Sequence, residues 1–514
     1  MVPSTDLFVL IHSLDKNEKR YFRLFAARQA GEKNYLKLFN AISLQEEYDE
    51  ADIIKQFKKE GFTRRFALTK SYLYGLVLKS LRMYHENRSI SLEIKSSLNS
   101  INILFSKGLF KQAMKMLMSV KKVVEKYEKI DFKPEIITLQ RGIVSALGWQ
   151  NYTQEDIDNM HGELKKDLGR ISTVNDYERL ANKLFQTLFN QGFVRDKKQQ
   201  QELEKIMNDP LLKDESKLPT LGSKLPFYLV HSAYYSMQGD LNKQHYYNEK
   251  QVEFYRQYPH MVRDNHKRFL SSLHNYISTC TRLKKYKEAE RSILELKNLL
   301  SVPEFAKDML LRVRVFDYSF NVEIDMFIQR GHFDKGIGLV PDFEAGMKQY
   351  WKMIKPDSVL MVYFNIAYLY FGAQQYEESK RWINKFFTIP SLYSKKDFYC
   401  IARILNLLIH YELGNFDLLE YTLKSTYQLL GRHAKLFRSE KLTLNFIKKY
   451  LNSHPDKSTL KKMFQEMIDD IKEIKKDPYE KQLMEYFDLI SWVESKIQGR
   501  TFGDVIRKKV RAGH

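Results

Sequence analysis

The sequence predicts an all-α protein assembled from repeated helical hairpins, and three observations carry that prediction. Apolar residues recur at three-to-four spacing along most of the chain, the period of one helix face. Glycine and proline are scarce, 21 and 12 in 514 residues, which disfavours both a turn-rich β fold and a disordered chain. A turn motif carrying an aromatic residue returns at intervals of about 40 to 47 residues, the range of two-helix repeats.

The clearest copy lies in Thr279–Leu300, TCTRLKKYKEAERSILELKNLL. Tyr286, Ala289, Ile293 and Leu296 share one helical face, and the break Leu283-Lys284-Lys285 separates them from the helix Leu270–Cys280. Other copies carry Gly108, Phe110 and Ala113, then Gly239-Asp240-Leu241, then Gly331, Phe333 and Gly336, then Tyr376 and Ser379, then Gly414 and Phe416. Weaker ones fall at Gly148–Tyr152 and near Gly192-Phe193. Where present, glycine ends the first helix and the aromatic anchors the turn, and a small residue three positions later (Ala113, Ala289, Gly336, Ser379) lets two helix backbones approach. A single hairpin cannot bury its own apolar face, so neighbours must stack.

At these residues the chain resembles the tetratricopeptide repeat family, over roughly residues 95–450. Tyr286, Ala289 and Ile293 fall where that family's second helix carries its signature. The units here are longer than the family's usual period of about 34 residues, and its terminal proline and first-helix Trp-Leu-Gly pattern are mostly missing. The resemblance implies a right-handed α-solenoid that recognises a protein or peptide in its concave groove. The phrases EKRYFRLFAARQ and KSYLYGLVLKSLRMY look like stretches of uncharacterised bacterial proteins, which implies no activity.

Residues 1–90 read as a helical cap. Helices are expected over Asp6–Ser13, Glu18–Ala30, Tyr35–Ile42 and Asp49–Lys59, with Gly61 as a C-cap. Thr63 is expected to N-cap a long helix, Arg64–Tyr84. Helix, turn and helix from Asp52 to Tyr84 also admit a DNA-binding reading, although the second helix is long and aromatic, better suited to packing. A first repeat block is expected over 91–208, a proline-bearing joint over 209–226 and a second block over 227–451. Capping helices follow over 452–498, Ser458–Lys476 and Asp477–Lys496, the first with a stripe from Met463 to Ile474. Residues 499–514 read as an exposed basic tail.

Lysine and arginine number 84 against 63 acidic residues, a formal charge of +21. That balance points to anionic partners, an acidic protein or nucleic acid, or to lysine-rich solvated helix faces. Two stretches concentrate it. Arg263, Lys267, Arg268, Arg282, Lys284, Lys285 and Lys287 are interleaved with aromatics, a pattern that holds a nucleic-acid backbone or simply marks a core beside a wet face. The second holds Arg432, Lys435 and Arg438, and the closing segment adds Arg507, Lys508, Lys509 and Arg511 as an arm.

No chemical site is legible. Gly331 and Gly336 have the spacing of a phosphate-binding loop, but Ile337 stands where its lysine must be. Histidines are scattered, Asp469 and Asp470 point to different helix faces, and Cys280 and Cys400 stand alone, as buried thiols of a reducing compartment. No cofactor or metal is expected. The N-terminus has too short an apolar run for a signal peptide, and no stretch of about eighteen apolar residues occurs, so a cytoplasmic location is expected. The function expected is a non-enzymatic scaffold or adaptor for an acidic protein or peptide. The alternatives are a nucleic-acid- or ribosome-associated protein, and a regulator with an N-terminal helix-turn-helix.

Overall fold

The computed structural model describes residues 5–28, 33–86, 89–191, 194, 197–389, 396–433, 437–477, 480 and 486–512. Among them the chain is all-α, with no strand and no helix long and apolar enough to cross a membrane. It divides into two compact units, residues 1–164 and 165–514.

The first unit begins with α1 (Asp6–Ser13), α2 (Lys16–Ala27), α3 (Lys33–Leu44), α4 (Glu50–Gln56) and α5 (Phe66–His85). Asp15 and Glu18 form a reciprocal capping box at the start of α2. These helices close on a core that includes Ile11, Phe22, Leu38, Phe39 and Val77. The helix expected over Asp49–Lys59 is shorter, and the long one expected over Arg64–Tyr84 starts two residues later. Asp49 caps α4 through Asp52 N, and Gly61–Arg65 tighten into a 3-10 turn. Thr63 does not cap α5: its hydroxyl donates back to the Glu60 carbonyl at 2.8 Å. Arg64 and Arg65 therefore sit in that turn, while Phe66, Leu73, Leu76 and Val77 fill the core. Helices α6 (Ile90–Ser106), α7 (Phe110–Lys126) and α8 (Lys133–Leu147) follow around Leu98, Ile101, Ala113 and Leu117.

Helix α9 runs unbroken over Gln154–Gln191. The weak repeat copy at Gly148 instead opens a 3-10 turn with Trp149 exposed, and Gly192-Phe193 lie outside the described residues. The second unit continues with α10 (Lys197–Met207). The proline-bearing joint then takes two 3-10 turns and is packed rather than free: Leu212 is buried and the Leu211 carbonyl accepts from Tyr177 Oη at 2.8 Å.

Hairpins then succeed one another. They pair α11 (Lys224–Gln238) with α12 (Leu241–Gln257) and α13 (Val262–Arg282) with α14 (Tyr286–Asn298). After the short α15 (Pro303–Ala306), α16 (Met309–Gln329) pairs with α17 (Phe333–Ile337) and α18 (Val340–Tyr350). The next pairs are α19 (Pro356–Gly372) with α20 (Tyr376–Thr388) and α21 (Lys396–Glu412) with α22 (Phe416–His433). First helices also pack on one another in chain order, α13 on α16, α16 on α19, and α19 on α21.

One turn geometry joins these pairs. Gly239, Lys284, Gly331, Gln374 and Gly414, at intervals of 45, 47, 43 and 40 residues, all take the left-handed conformation, as Gly108 does in the first unit. In each, the next N–H reaches back to the carbonyl five residues earlier, from Lys285 to Cys280 at 2.8 Å and from His332 to Phe327 at 2.9 Å. This Schellman closure satisfies carbonyls that a helix end leaves open. Ala113, Ala289 and Ser379 are fully buried behind it, and a Cβ on Gly336 would lie 2.5 Å from Leu369. The aromatic that follows is not always an anchor: Phe333 is buried, Phe110, Tyr286 and Tyr376 are half-buried, and Phe416 is exposed.

Helices α23 (Arg438–Ser453), α24 (Lys457–Ile474), α25 (Leu489–Gln498) and α26 (Phe502–Arg511) complete the unit. The stripe Met463, Phe464, Met467, Ile468, Ile471 and Ile474 is buried. Asp488 caps α25 through Ser491 N; of the helix expected over Asp477–Lys496, residues 478, 479 and 481–485 lie outside the described residues. The closing segment is not an exposed tail. Thr501 caps α26, whose Phe502, Val505 and Ile506 are buried. Phe502 stacks on Phe333 at 5.6 Å, and Arg507 donates to the Gly331 carbonyl at 2.6 Å.

A candidate binding cavity on three successive helices

Helix α16 carries Arg314, Asp317, Asn321, Asp325 and Gln329 at three-to-four spacing, a polar stripe along one face. Such spacing places all five on one face. Helix α13 contributes His274, Ser278 and Arg282 by the same rule, and α19 contributes Ser358, Met361, Asn365 and Tyr368. Because the three helices pack side by side, these faces line one cavity of about 580 Å³, within the size range of ligand sites.

One end of the cavity is lined by aromatic and charged side chains. Tyr486 lines it there, beside Tyr368, Asp325 and Arg282. The adjoining backbone is tied down, with Asp488 N donating to Tyr368 Oη at 3.0 Å. Phe487 packs on Tyr368 and Phe371 at 4.9 and 5.6 Å. Toward the other end lie Leu310, Met353 and Lys355, all exposed.

Burial sets the electrostatics. Among the described residues, the Asp325 carboxylate has Gln329 Nε2 as its one hydrogen-bond partner, at 3.4 Å. Desolvation pushes its carboxyl up to about 6, with Gln329 and the Arg282 charge opposing. Burial likewise holds the Arg282 guanidinium below its ordinary value and pushes His274 down to about 4, so that histidine is neutral near pH 7. The His274 ring packs on Tyr318 at 4.5 Å. Asp317 is satisfied inside the wall, accepting from Ser358 Oγ at 2.6 Å and Asn321 Nδ2 at 3.0 Å. Arg314 and Asn365 have no hydrogen bond or ion pair to another described residue. A perturbed carboxylate in a concave site with unsatisfied polar neighbours is the pattern of a functional cavity.

Of the basic residues read from the sequence, only Arg282 enters this cavity. Arg263, Lys267 and Arg268 sit near the start of α13, whereas Lys284, Lys285 and Lys287 lie beyond its far end. Fifteen residues of helix, Lys267 to Arg282, separate the groups by about 22 Å. Lys285 is engaged, its Nζ 2.8 Å from His245 Nε2, while Lys267, Arg268, Lys284 and Lys287 are exposed. Arg438 is exposed at the start of α23, the side chain of Arg432 is not described, and Lys435 lies outside the described residues. On α26, Lys508 and Arg511 are exposed, but Arg507 is tied to Gly331 and Asp504, and Lys509 pairs with Glu494 at 2.8 Å. Both cysteines are buried, and desolvation pushes the Cys280 thiol up to about 11, which keeps it unreactive.

The cavity was hidden in the sequence because a polar stripe on one helix ordinarily reads as a wet face. Its signal was the recurrence of such stripes on α13, α16 and α19 together. Compared with known proteins, the chain matches no family model and no curated protein at a significant level.

Proposed function

We propose that this chain is a non-enzymatic, tetratricopeptide-like scaffold or adaptor of the cytoplasm. Its hairpins stack into a right-handed superhelix, and a segment of a partner protein docks along the groove of the first helices. The observation that carries this reading is the cavity itself. It draws on the same face of three successive hairpins, so it exists only because they stack. The left-handed turns at 40 to 47 residue intervals and the ordered packing of α13, α16, α19 and α21 support the superhelix. The excess of 84 lysine and arginine residues over 63 acidic ones suits an acidic partner.

A photo-crosslinking side chain at Leu310, half exposed on the cavity rim, tests this against one at Tyr421, exposed on α22 away from the cavity. Adducts from position 310 mapping to one segment of one partner, absent from position 421, are expected. Equal labelling from both positions, or none from 310, contradicts the reading.

The nucleic-acid alternative needs the basic residues on one surface, and the separation along α13 works against it. Fluorescence anisotropy with short RNA and DNA is expected to show weak binding, lost near physiological salt and unchanged by Lys284→Glu with Lys287→Glu. Micromolar binding with a steep salt slope, abolished by those changes, would reverse the order of the two readings.

A further inference from the structure

We propose that the outer face of α5 is a self-association surface, on which a second copy of this chain docks its own α5, antiparallel, about a twofold axis at Gly75. This is independent of the groove and of its occupant. Three observations carry it.

The first is an apolar face turned to solvent. The inner side of α5 fills the core of the first unit through Phe66, Leu73, Leu76 and Val77. The opposite side of a solvated helix is ordinarily polar. Here Leu68 and Met83 are 64% and 52% exposed, and Tyr72 and Leu78 are exposed with them. At about 100° per residue these four fall within roughly 140° of arc, on the side that Gly75 occupies. The Tyr72 ring is already oriented, packed on Tyr35 of α3 at 4.5 Å.

The second is charge. The face is apolar toward its start and basic toward its end, where Lys79 and Arg82 are exposed. An antiparallel pair crossing at Gly75 brings Leu78 against Tyr72 and lays the Arg82 stem along Leu68 of the other copy. It also sets Arg64 opposite Glu86, both exposed and of opposite sign. A parallel pair would stack Lys79 on Lys79 and Arg82 on Arg82, which like-charge repulsion opposes. A nucleic-acid backbone would engage the two basic residues but leave Leu68, Tyr72 and Leu78 in water.

The third is space. Gly75 is exposed in the middle of a 20-residue helix, where glycine is unfavourable, and a Cβ there would meet no atom within 4 Å. Nothing packed against it in this copy requires a glycine, whereas a crossing point between two helices gains from one by closer approach. The face offers on the order of 500 Å² of side chain, so two copies bury roughly 1,000 Å², the lower edge of a specific interface.

Sedimentation velocity of the full chain across a concentration series tests this, since the dimer fraction rises with concentration. A reversible species of twice the chain mass is expected, and Leu68→Glu with Leu78→Glu is expected to weaken it at least tenfold. Both positions are exposed, and an unchanged melting curve shows that the variant folds. Cysteine pairs read the register, because Cys280 and Cys400 are buried. Gly75→Cys stands on the twofold axis and is expected to form a disulfide with its own copy under mild oxidation. Ser71→Cys would lie eight residues of helix from its own copy, about 12 Å, beyond disulfide reach, and is expected to form little. A monomer at every concentration overturns the proposal, as does a dimer that Leu68→Glu with Leu78→Glu leaves intact. Equal disulfide yields from positions 71 and 75 overturn the antiparallel register.

Discussion

Phe333→Ala is expected to destabilise the protein by about 3–5 kcal/mol, the cost of deleting a fully buried ring. The ring is 2% exposed, and it holds three parts of the second unit together. It packs so closely on α19 that a Cβ at Gly372 would lie 2.4 Å from it. It also stacks with Phe502 of α26 at 5.6 Å and lies 6.2 Å from Tyr368. The matched control is Phe416→Ala. Phe416 occupies the same position in its own turn but is 47% exposed, so its loss is expected to cost under about 1 kcal/mol. Chemical denaturation followed by helical circular dichroism reads both. Equal losses would mean that the turn aromatics act by a shared local role, and that α26 is not docked through Phe333.

Asp325→Asn is expected to stabilise the protein by roughly 1–3 kcal/mol at pH 7.5 and by almost nothing below pH 4. The folded carboxyl titrates near 6 against 3.8 ordinarily, so the folded state holds its proton more tightly than the unfolded chain does. The stability that follows from this is present below the ordinary value and is lost as pH rises through about 6. A shift of about two units sets the ceiling near 3 kcal/mol, and partial contact with water in the cavity lowers it. Asparagine keeps the shape and removes the charge. Melting temperatures of the two proteins at pH 4, 5.5 and 7.5 measure the effect. A gain that grew toward low pH would show that Asp325 is stabilised as an anion, contrary to its desolvation.

The hairpins were legible because their turns are local: Gly239, Gly331 and Gly414 each mark a left-handed position that favours glycine. Lys284 and Gln374 take the same conformation without being glycine, held there by the same back-bonded turn, and no composition rule could assign them. The α26 region was misread as a tail for a physical reason. Its four basic residues dominate the composition, whereas Phe502, Val505 and Ile506 form a three-to-four stripe that only a partner surface makes meaningful. That surface, Gly331, Phe333 and Tyr368, lies more than about 130 residues earlier in the chain. The cavity was illegible for the same cause. Arg282, Asp325 and Asn365 belong to three hairpins, and nothing local to any of them shows that they meet.

The measurement that bears most directly on the account is crosslinking yield from position 310 with and without Asn365→Trp, which places an indole in the cavity without touching the outer surface. The account predicts that partner adducts fall at least tenfold in the filled variant while its melting temperature stays within a few degrees of the parent. Undiminished adducts in a folded, filled variant would place the partner outside the cavity and contradict the account.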